Sequence, residues 1–135
     1  MTIHYLELAD YLLIAEAILN TPAEELARLK RIGLADSALQ APAAGSADVE
    51  VYSDFATKTA VLVWHLVKNH PLPDGNKRVA FIAMVEFVER NGWEWLRSPD
   101  DPGETDGIIR SVADGSMSKT DLSSWVAGRI RKHRA

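Results

Sequence analysis

The sequence contains no cysteine among its 135 residues. It therefore forms no disulfide and has no thiol nucleophile, which fits a protein of the reducing cytoplasm. The opening residues, Met1-Thr2-Ile3-His4, lack the basic-then-apolar pattern of a signal peptide. No apolar run approaches the roughly 18–20 residues that a membrane-spanning helix requires. We expect a soluble, cytoplasmic protein.

An excess of basic residues is also missing. Lys and Arg number 15 against 19 Asp and Glu, for a formal net charge of −4. A general nucleic-acid-binding protein favours a basic surface, so we expect no direct nucleic-acid partner. Internal repeats and low-complexity segments are absent from the sequence too. Hydrophobic residues make up 47% of the chain, and we expect residues 1–135 to form a single domain with its own core.

The densest chemistry lies in residues 70–78, which read His-Pro-Leu-Pro-Asp-Gly-Asn-Lys-Arg. Pro71 and Pro73 exclude a helix at the start of this stretch, because each lacks an N–H and restricts the residue before it. From Asn76 onward, apolar residues recur at helical spacing. The pattern predicts a loop that leads directly into a helix.

The start of this predicted helix is an anion site. Asp74 or Gly75 lies near its N-cap, and a helix start offers unpaired N–H groups and the positive end of the macrodipole. Lys77 and Arg78 fall in the first turn, where a cation opposes the dipole. We therefore interpret them as phosphate ligands rather than as helix stabilisers. Asn76 adds an uncharged donor that can reach an anion.

Two further side chains complete a site for phosphoryl or nucleotidyl transfer. Asp74 would repel a phosphate unless a divalent cation lay between them, and Mg²⁺ is typically held by one or two carboxylates together with substrate phosphates. His70 ends the preceding helix, and an imidazole suits a general base near neutral pH. Positioning and charge neutralisation supply most of the catalysis in such reactions.

This stretch resembles the Fic/Doc motif, in which His-Pro-Phe is followed by two residues and then by Gly-Asn-Gly-Arg. It is closer still to the death-on-curing (Doc) branch, where Asp-Ala/Gly-Asn-Lys-Arg occurs. Residues 33–42 and the Asn91-Gly92-Trp93 sequence also look like death-on-curing toxins. The resemblance implies an all-α, compact bundle of about six or seven helices with a central buried helix. It further implies a toxin of a type II toxin–antitoxin system.

Three positions depart from the Fic AMP-transferases. Lys77 stands where they carry Gly, and Phe81 stands where they carry a second Arg that holds the distal phosphate. In the Doc branch the resemblance implies a reversed nucleotide pose, with the γ-phosphate of ATP offered to a hydroxyl. The implied activity is that of a protein Ser/Thr kinase acting on an elongation factor Tu-like protein. The third departure, Leu72 for Phe, keeps an apolar anchor.

The resemblance also assigns roles by position. His70 would be the base that deprotonates the acceptor hydroxyl, and Asp74 would hold Mg²⁺. The phosphates of ATP would lie in a cradle made by Gly75, Asn76, Lys77 and Arg78.

Regulation is expected to come from another protein. Fic proteins often carry an inhibitory Ser/Thr-x-x-x-Glu-Gly/Asn helix, and the sequence contains no such string. The resemblance therefore implies a separate Phd-like antitoxin whose C-terminal segment folds into a groove on the toxin. Alternatives that stay open are a Fic-type AMP-transferase and a catalytically inactive antitoxin-binding module. A toxin that cuts RNA is disfavoured by the acidic charge.

Apolar spacing predicts the remaining elements. Helices are expected at 5–19, 22–31, 36–40, 54–69, 76–91, 104–113 and 119–131. Gly33 is expected to end the second of these, and Trp93-Glu94-Trp95 to be extended. Residues 41–52 are predicted to be a loop, and the alternation within 48–52 is compatible with a short β-hairpin flap or with an ordinary connection. His65 is interpreted as a core or groove histidine and Phe81 as a core residue.

Overall fold

The computed structural model describes residues 2–46, 49–97 and 103–133. The described residues form seven α-helices: α1 (Leu8–Leu19), α2 (Ala23–Leu26), α3 (Ile32–Gln40), α4 (Phe55–Asn69), α5 (Asn76–Arg90), α6 (Gly103–Asp114) and α7 (Lys119–Ala127). A 3₁₀ helix spans Ala41–Ala43, and four short strands are β1 (Gly45–Ser46), β2 (Val49–Glu50), β3 (Trp93–Trp95) and β4 (Ile130–Lys132). The predicted all-α bundle is confirmed. None of the described helices has the length and apolarity to cross a membrane.

The central buried helix is α4, as the sequence predicts. Its N-cap is Asp54, whose carboxylate accepts a hydrogen bond from the Thr57 N–H at 3.3 Å. Helices α3, α5 and α7 pack around it. The buried residues of α4 are Lys58, Thr59, Ala60, Val61, Leu62, Val63, Leu66 and Val67. Burial on nearly every side fixes the direction of this helix, and with it the position of His70 at its carboxyl end.

Helix α5 lies against α4 and contributes the other large share of the core. Met84 and Phe87 are completely buried. Phe81 packs against this core at its edge, where it is half-buried and contacts the Trp95 ring edge-on at a centroid distance of 6.0 Å. On the solvent side, Arg90 donates to Glu86 at 2.7 Å in an i,i+4 pair.

The second predicted helix is wrong in its extent. It ends at Leu26 rather than near residue 31, because the chain then tightens into turns. The N–H groups of Arg28 and Leu29 bond carbonyls three residues back, that of Leu29 to Leu26 at 3.1 Å. Gly33 does not terminate it but lies inside α3. A Cβ at Gly33 would meet no atom within 4 Å, so steric crowding does not require a glycine at this position.

The last helix was predicted to run to residue 131, but its predicted C-terminal end includes part of a β-strand. Helix α7 ends at Ala127, and β4 pairs antiparallel with β3, with Trp95 opposite Ile130 and Trp93 opposite Lys132. The extended structure of 93–95 is thus confirmed. Pairing satisfies the backbone groups of an otherwise isolated strand, and this tertiary gain overrides the helical spacing of Val126 and Ile130.

Two short strands do pair within 41–52. Strands β1 and β2 are antiparallel, with Gly45 opposite Glu50 and Ser46 opposite Val49. Residues 47 and 48, the second of which belongs to the predicted flap, lie outside the described part of the chain. Alignment of a target by a flap in this region stays a prediction.

Candidate active site

All six predicted site residues line one cleft. Its volume is about 500 Å³. The motif contributes His70, Pro73, Asp74, Gly75, Asn76, Lys77 and Arg78, and the remaining wall comes from Val67 and Lys68 of α4 and Asp106 and Ala113 of α6. The loop between α4 and α5 therefore folds so that the base, the carboxylate and the two cations face a common space.

The loop is held from inside by Leu72 and Asn76. The Leu72 side chain is only 1% exposed and anchors the loop in the core, as predicted for this position. The Asn76 side chain is buried as well, and it bonds both backbone groups of Leu72: its Oδ1 accepts from the N–H at 2.9 Å and its Nδ2 donates to the carbonyl at 2.7 Å. This amide therefore shapes the loop, and what Asn76 presents at the helix start is its backbone N–H.

His70 occupies an unusual backbone position. It is the C-cap of α4 and adopts the left-handed conformation, with φ 49° and ψ 57°. Arg31 donates from Nε to the His70 carbonyl at 3.1 Å and from Nη2 to the Asn69 carbonyl at 2.8 Å. Asn69 in turn donates to the carbonyl of Leu34 at 2.9 Å. These three bonds tie the end of α4 to the start of α3 while the His70 side chain stays exposed to the cleft.

The first turn of α5 forms the floor of the predicted anion site. Gly75 is its N-cap and has φ 77°, and the helical ladder begins with the Val79 N–H bonding the Gly75 carbonyl at 3.0 Å. The N–H groups of residues 76–78 precede that ladder. A Cβ at Gly75 would lie 2.6 Å from Leu19 Cδ2 and 3.4 Å from Arg78 Nη2. The Arg78 guanidinium is therefore folded back over the helix start.

The cleft carries charges of both signs. Lys68, Lys77 and Arg78 supply three cations, and Asp74 and Asp106 supply two carboxylates. Asp106 also forms an ion pair with Arg110 at 2.9 Å. Among the described residues, no group of three or more His, Cys, Asp or Glu side chains could hold a metal ion. The exposed carboxylate of Asp74 does fit Mg²⁺ in its usual nucleotide setting, where phosphate oxygens and water complete the ligand set.

Comparison with known proteins shows the family of this chain. The model of the Fic/DOC family matches residues 5–88. A relative, Toxin Doc of Mycolicibacterium smegmatis, is 31% identical over 101 residues, which cover 75% of this chain and 77% of that protein. The chain belongs to the Fic/DOC family. The Fic/DOC match spans α1 to α5 with the loop between α4 and α5, and it ends before α6, which supplies Asp106.

Lys68 precedes His70 by two residues at the end of α4, so its position beside the site follows from the sequence. Two residues near the motif, Arg31 and Asp106, were not predicted. Arg31 and Asp106 carried no signal, because each is remote from the motif in the chain and reaches it only through packing of α3 and α6. His65 is half-buried, as predicted, and burial followed by the charge of Lys119 lowers its pKa.

Proposed function

We propose that this chain is a Doc-type toxin with protein kinase activity. It transfers the γ-phosphate of ATP to a hydroxyl of a translation factor resembling elongation factor Tu, and thereby arrests translation and growth. The observation that carries the proposal is the single cleft shared by His70, Asp74 and the cationic first turn of α5. Membership of the Fic/DOC family and the relative named Toxin Doc support it.

The phosphates of ATP would lie against the start of α5. The backbone N–H groups of residues 76–78 precede the helical ladder and would bind phosphate oxygens, and Lys77 and Arg78, which line the cleft, would neutralise the charge that develops during transfer. Asp74 would hold Mg²⁺ between its carboxylate and the phosphate oxygens, where the ion supplies further charge neutralisation. Gly75 leaves the helix start open, since a side chain there would press on Leu19 and Arg78.

His70 would act as the general base. The acceptor oxygen forms a bond to the γ-phosphorus as the bond between that phosphorus and the β–γ bridging oxygen breaks, so ADP leaves and the hydroxyl proton passes to the imidazole. Arg31 positions His70 by donating a hydrogen bond to the backbone carbonyl of His70, and Arg31 itself does not line the cleft. Positioning and electrostatics do most of the work in such a reaction, because the phosphoryl group needs little covalent help.

Lys77 favours phosphoryl transfer over transfer of AMP. It adds bulk and charge at the position where AMP-transferases of this superfamily carry glycine, and Phe81 removes the second arginine that would hold their distal phosphate. AMP transfer and a catalytically inactive binding module are therefore the outcomes that an experiment must separate from the kinase.

An antitoxin of the Phd type is the proposed regulator. Four large apolar side chains of the described residues are exposed, and two of them, Leu13 at 61% and Ile82 at 42%, border one groove of about 320 Å³ between α1 and α5. Asp10, Glu86 and Arg90 give this groove a charged rim. An amphipathic helix that buries apolar anchors in such a groove would cover both side chains. Leu13→Asp and Ile82→Asp should each weaken co-purification with the antitoxin.

The activity is tested with labelled ATP and a bacterial extract. The protein is incubated with Mg²⁺ and either γ-labelled or α-labelled ATP, and the labelled protein is identified by mass spectrometry. We expect label from the γ position only, on a translation factor, and none with His70→Ala. Label from the α position would instead assign AMP transfer. Growth arrest that persists in His70→Ala, with no label from either position, would assign a binding module.

A further inference from the structure

A groove adjoins the cleft on the side of the turn between α2 and α3. Its volume is about 300 Å³. His70 and Pro73 line both spaces. The residues that line the groove alone come from that turn and from the loop between α4 and α5, and they are Leu29, Lys30, Arg31, Pro71 and Leu72. None of the roles proposed above uses this groove.

His70 lies at the boundary between the two spaces. Its side chain is exposed and lines both, whereas Lys77 and Arg78 line the cleft and not the groove. In phosphoryl transfer the attacking and leaving oxygens lie roughly in line, so the acceptor approaches the phosphorus from the side opposite to the leaving ADP. The general base must also lie within hydrogen-bond reach of the acceptor hydroxyl. A hydroxyl that comes from the groove would reach His70 from the side away from the two cations.

Both walls of the groove are held in place by hydrogen bonds of the protein itself. Arg31 donates to the carbonyls of His70 and Asn69 at 3.1 and 2.8 Å, which joins the turn before α3 to the end of α4. The buried Asn76 side chain bonds both backbone groups of Leu72. A groove that is already formed orders few groups when a ligand binds, so the entropic cost of binding is low.

The lining of the groove is apolar at its floor and basic at its rim. Pro71 and Leu72 are buried and Leu29 is half-buried, and together they supply the floor. Lys30 is exposed at the rim, and no carboxylate of the described residues lines the groove. The Arg31 guanidinium is already engaged by two carbonyls, which leaves Lys30 as the cation that meets a ligand. This lining fits a peptide segment that carries an aliphatic side chain and an acidic one.

We infer that this groove binds the acceptor segment of the protein substrate and that Lys30 selects an acidic side chain within that segment. The inference rests on the proposed function and adds the chemistry of its substrate. An aliphatic residue next to the acceptor lies on the apolar floor. The carboxylate that meets Lys30 lies within about five residues of the acceptor, since five extended residues span roughly 17 Å.

The test measures the kinetic constants for the two substrates separately. The translation factor that is labelled in the extract is purified, and its KM and the KM for ATP are determined by transfer of the γ-label. We expect Lys30→Glu to raise KM for the translation factor about fivefold and Leu29→Asp about tenfold. Both variants should keep kcat and KM for ATP, because the lost contacts are equal in the ground and transition states. Lys30→Gln, which removes the charge without reversing it, should have a smaller effect.

Arg28→Glu and Leu13→Asp are the matched controls. Arg28 is an exposed cation of the same turn that does not line the groove, and Leu13 is an exposed leucine of α1. Neither control should change any of these constants. If Lys30→Glu and Leu29→Asp leave KM for the translation factor unchanged, or raise KM for ATP equally, the groove proposal is refuted while the kinase proposal stands.

An exchange of charges tests the selection by Lys30 directly. An acidic residue of the translation factor near its acceptor is replaced by lysine, which should weaken phosphorylation by the unaltered protein and restore it for Lys30→Glu. An acceptor segment without an acidic residue within about five positions, or an exchange that restores nothing, refutes the selection. If the unaltered protein labels no translation factor, the groove proposal and the kinase proposal are both refuted.

Discussion

Arg31 donates a hydrogen bond from Nε to the backbone carbonyl of His70 at 3.1 Å, across 39 residues of sequence. The same guanidinium donates to the Asn69 carbonyl at 2.8 Å. It therefore pairs carbonyl groups at the end of α4 that have no partner within the helix. The left-handed conformation of a non-glycine residue costs about 1–2 kcal/mol, and these bonds help to offset that cost at His70.

Replacing Arg31 should therefore slow catalysis without weakening nucleotide binding. We expect Arg31→Met to lower kcat at least tenfold while KM for ATP stays within about twofold, because a base displaced by about 1 Å can cost two orders of magnitude in rate. Arg31→Lys should recover only part of the loss. A lysine can still donate to one of the carbonyls, but it lacks the planar fork that bridges both. Steady-state kinetics with the translation factor as the protein substrate supply both constants.

Arg28→Met is the control for this prediction, because Arg28 is an exposed arginine close by in the chain. It should leave both constants unchanged. A rise in KM with unchanged kcat would instead place Arg31 in substrate binding.

Replacing Asn76 should destabilise the protein even without a ligand. Asn76→Ala removes the two bonds to Leu72 and leaves buried backbone groups unpaired, so we expect the free energy of unfolding to fall by about 2–4 kcal/mol. Urea denaturation measures it. Asn69→Ala, which removes one exposed bond to Leu34, should cost about 1 kcal/mol or less. Equal stability of Asn76→Ala and the unaltered protein would show that this amide does not hold the loop.

Gly75 should tolerate a side chain less well than a second glycine of similar conformation. Gly75 and Gly92 have φ of 77° and 80°, but a Cβ at Gly75 would lie 2.6 Å from Leu19 Cδ2, whereas one at Gly92 would meet no atom within 4 Å. Gly92→Ala should cost about 1–2 kcal/mol for the left-handed backbone alone, and Gly75→Ala more. Adding Leu19→Ala should reduce the extra cost of Gly75→Ala. Equal costs in thermal unfolding would contradict this account.

Stability should fall on mild acidification partly through His65. Burial, and then the charge of Lys119, lower the pKa of this imidazole below its ordinary value of 6.5. The unfolded state then takes up the proton more readily, so the free energy of unfolding decreases as the pH falls below 6.5. His65→Gln should remove this part of the pH dependence, as measured by urea denaturation on both sides of that pH.

Lys119→Gln should raise the pKa of His65 in an NMR titration, because it removes the nearby positive charge. Lys30→Gln, an exposed lysine on another element, is the control and should leave the titration unchanged. A titration that also stays unchanged in Lys119→Gln would leave burial as the sole cause.

The site was predictable where its residues are close in sequence. Two prolines, a glycine and a helical apolar pattern define the loop and the start of α5, and these alone bring His70 and Lys77 to the same cleft. The parts that were missed come from distant elements. Arg31 and Asp106 reach the site only once α3 and α6 pack, and a single sequence contains no signal for either contact.

Other features that the sequence did not predict have local causes. The side chain of an asparagine beside an anion site can face either the ligand or the loop, and the residue type does not decide between the two. Only the structure shows that the Asn76 side chain faces the loop, where it bonds Leu72. The helical spacing of Val126 and Ile130 suggested one helix, whereas Ile130 pairs with Trp95 in a strand. Phe81 has the spacing of a core residue and packs at the edge of the core, where it is half-buried.

The central claim is that a triphosphate lies at the start of α5 with its terminal phosphate presented to His70. A crystal structure with Mg²⁺ and a non-hydrolysable ATP analogue tests it most directly. We predict phosphate oxygens against the N–H groups of residues 76–78 and the γ-phosphate at the His70 end. An α-phosphate at His70, or a triphosphate bound away from Lys77 and Arg78, would contradict the kinase account.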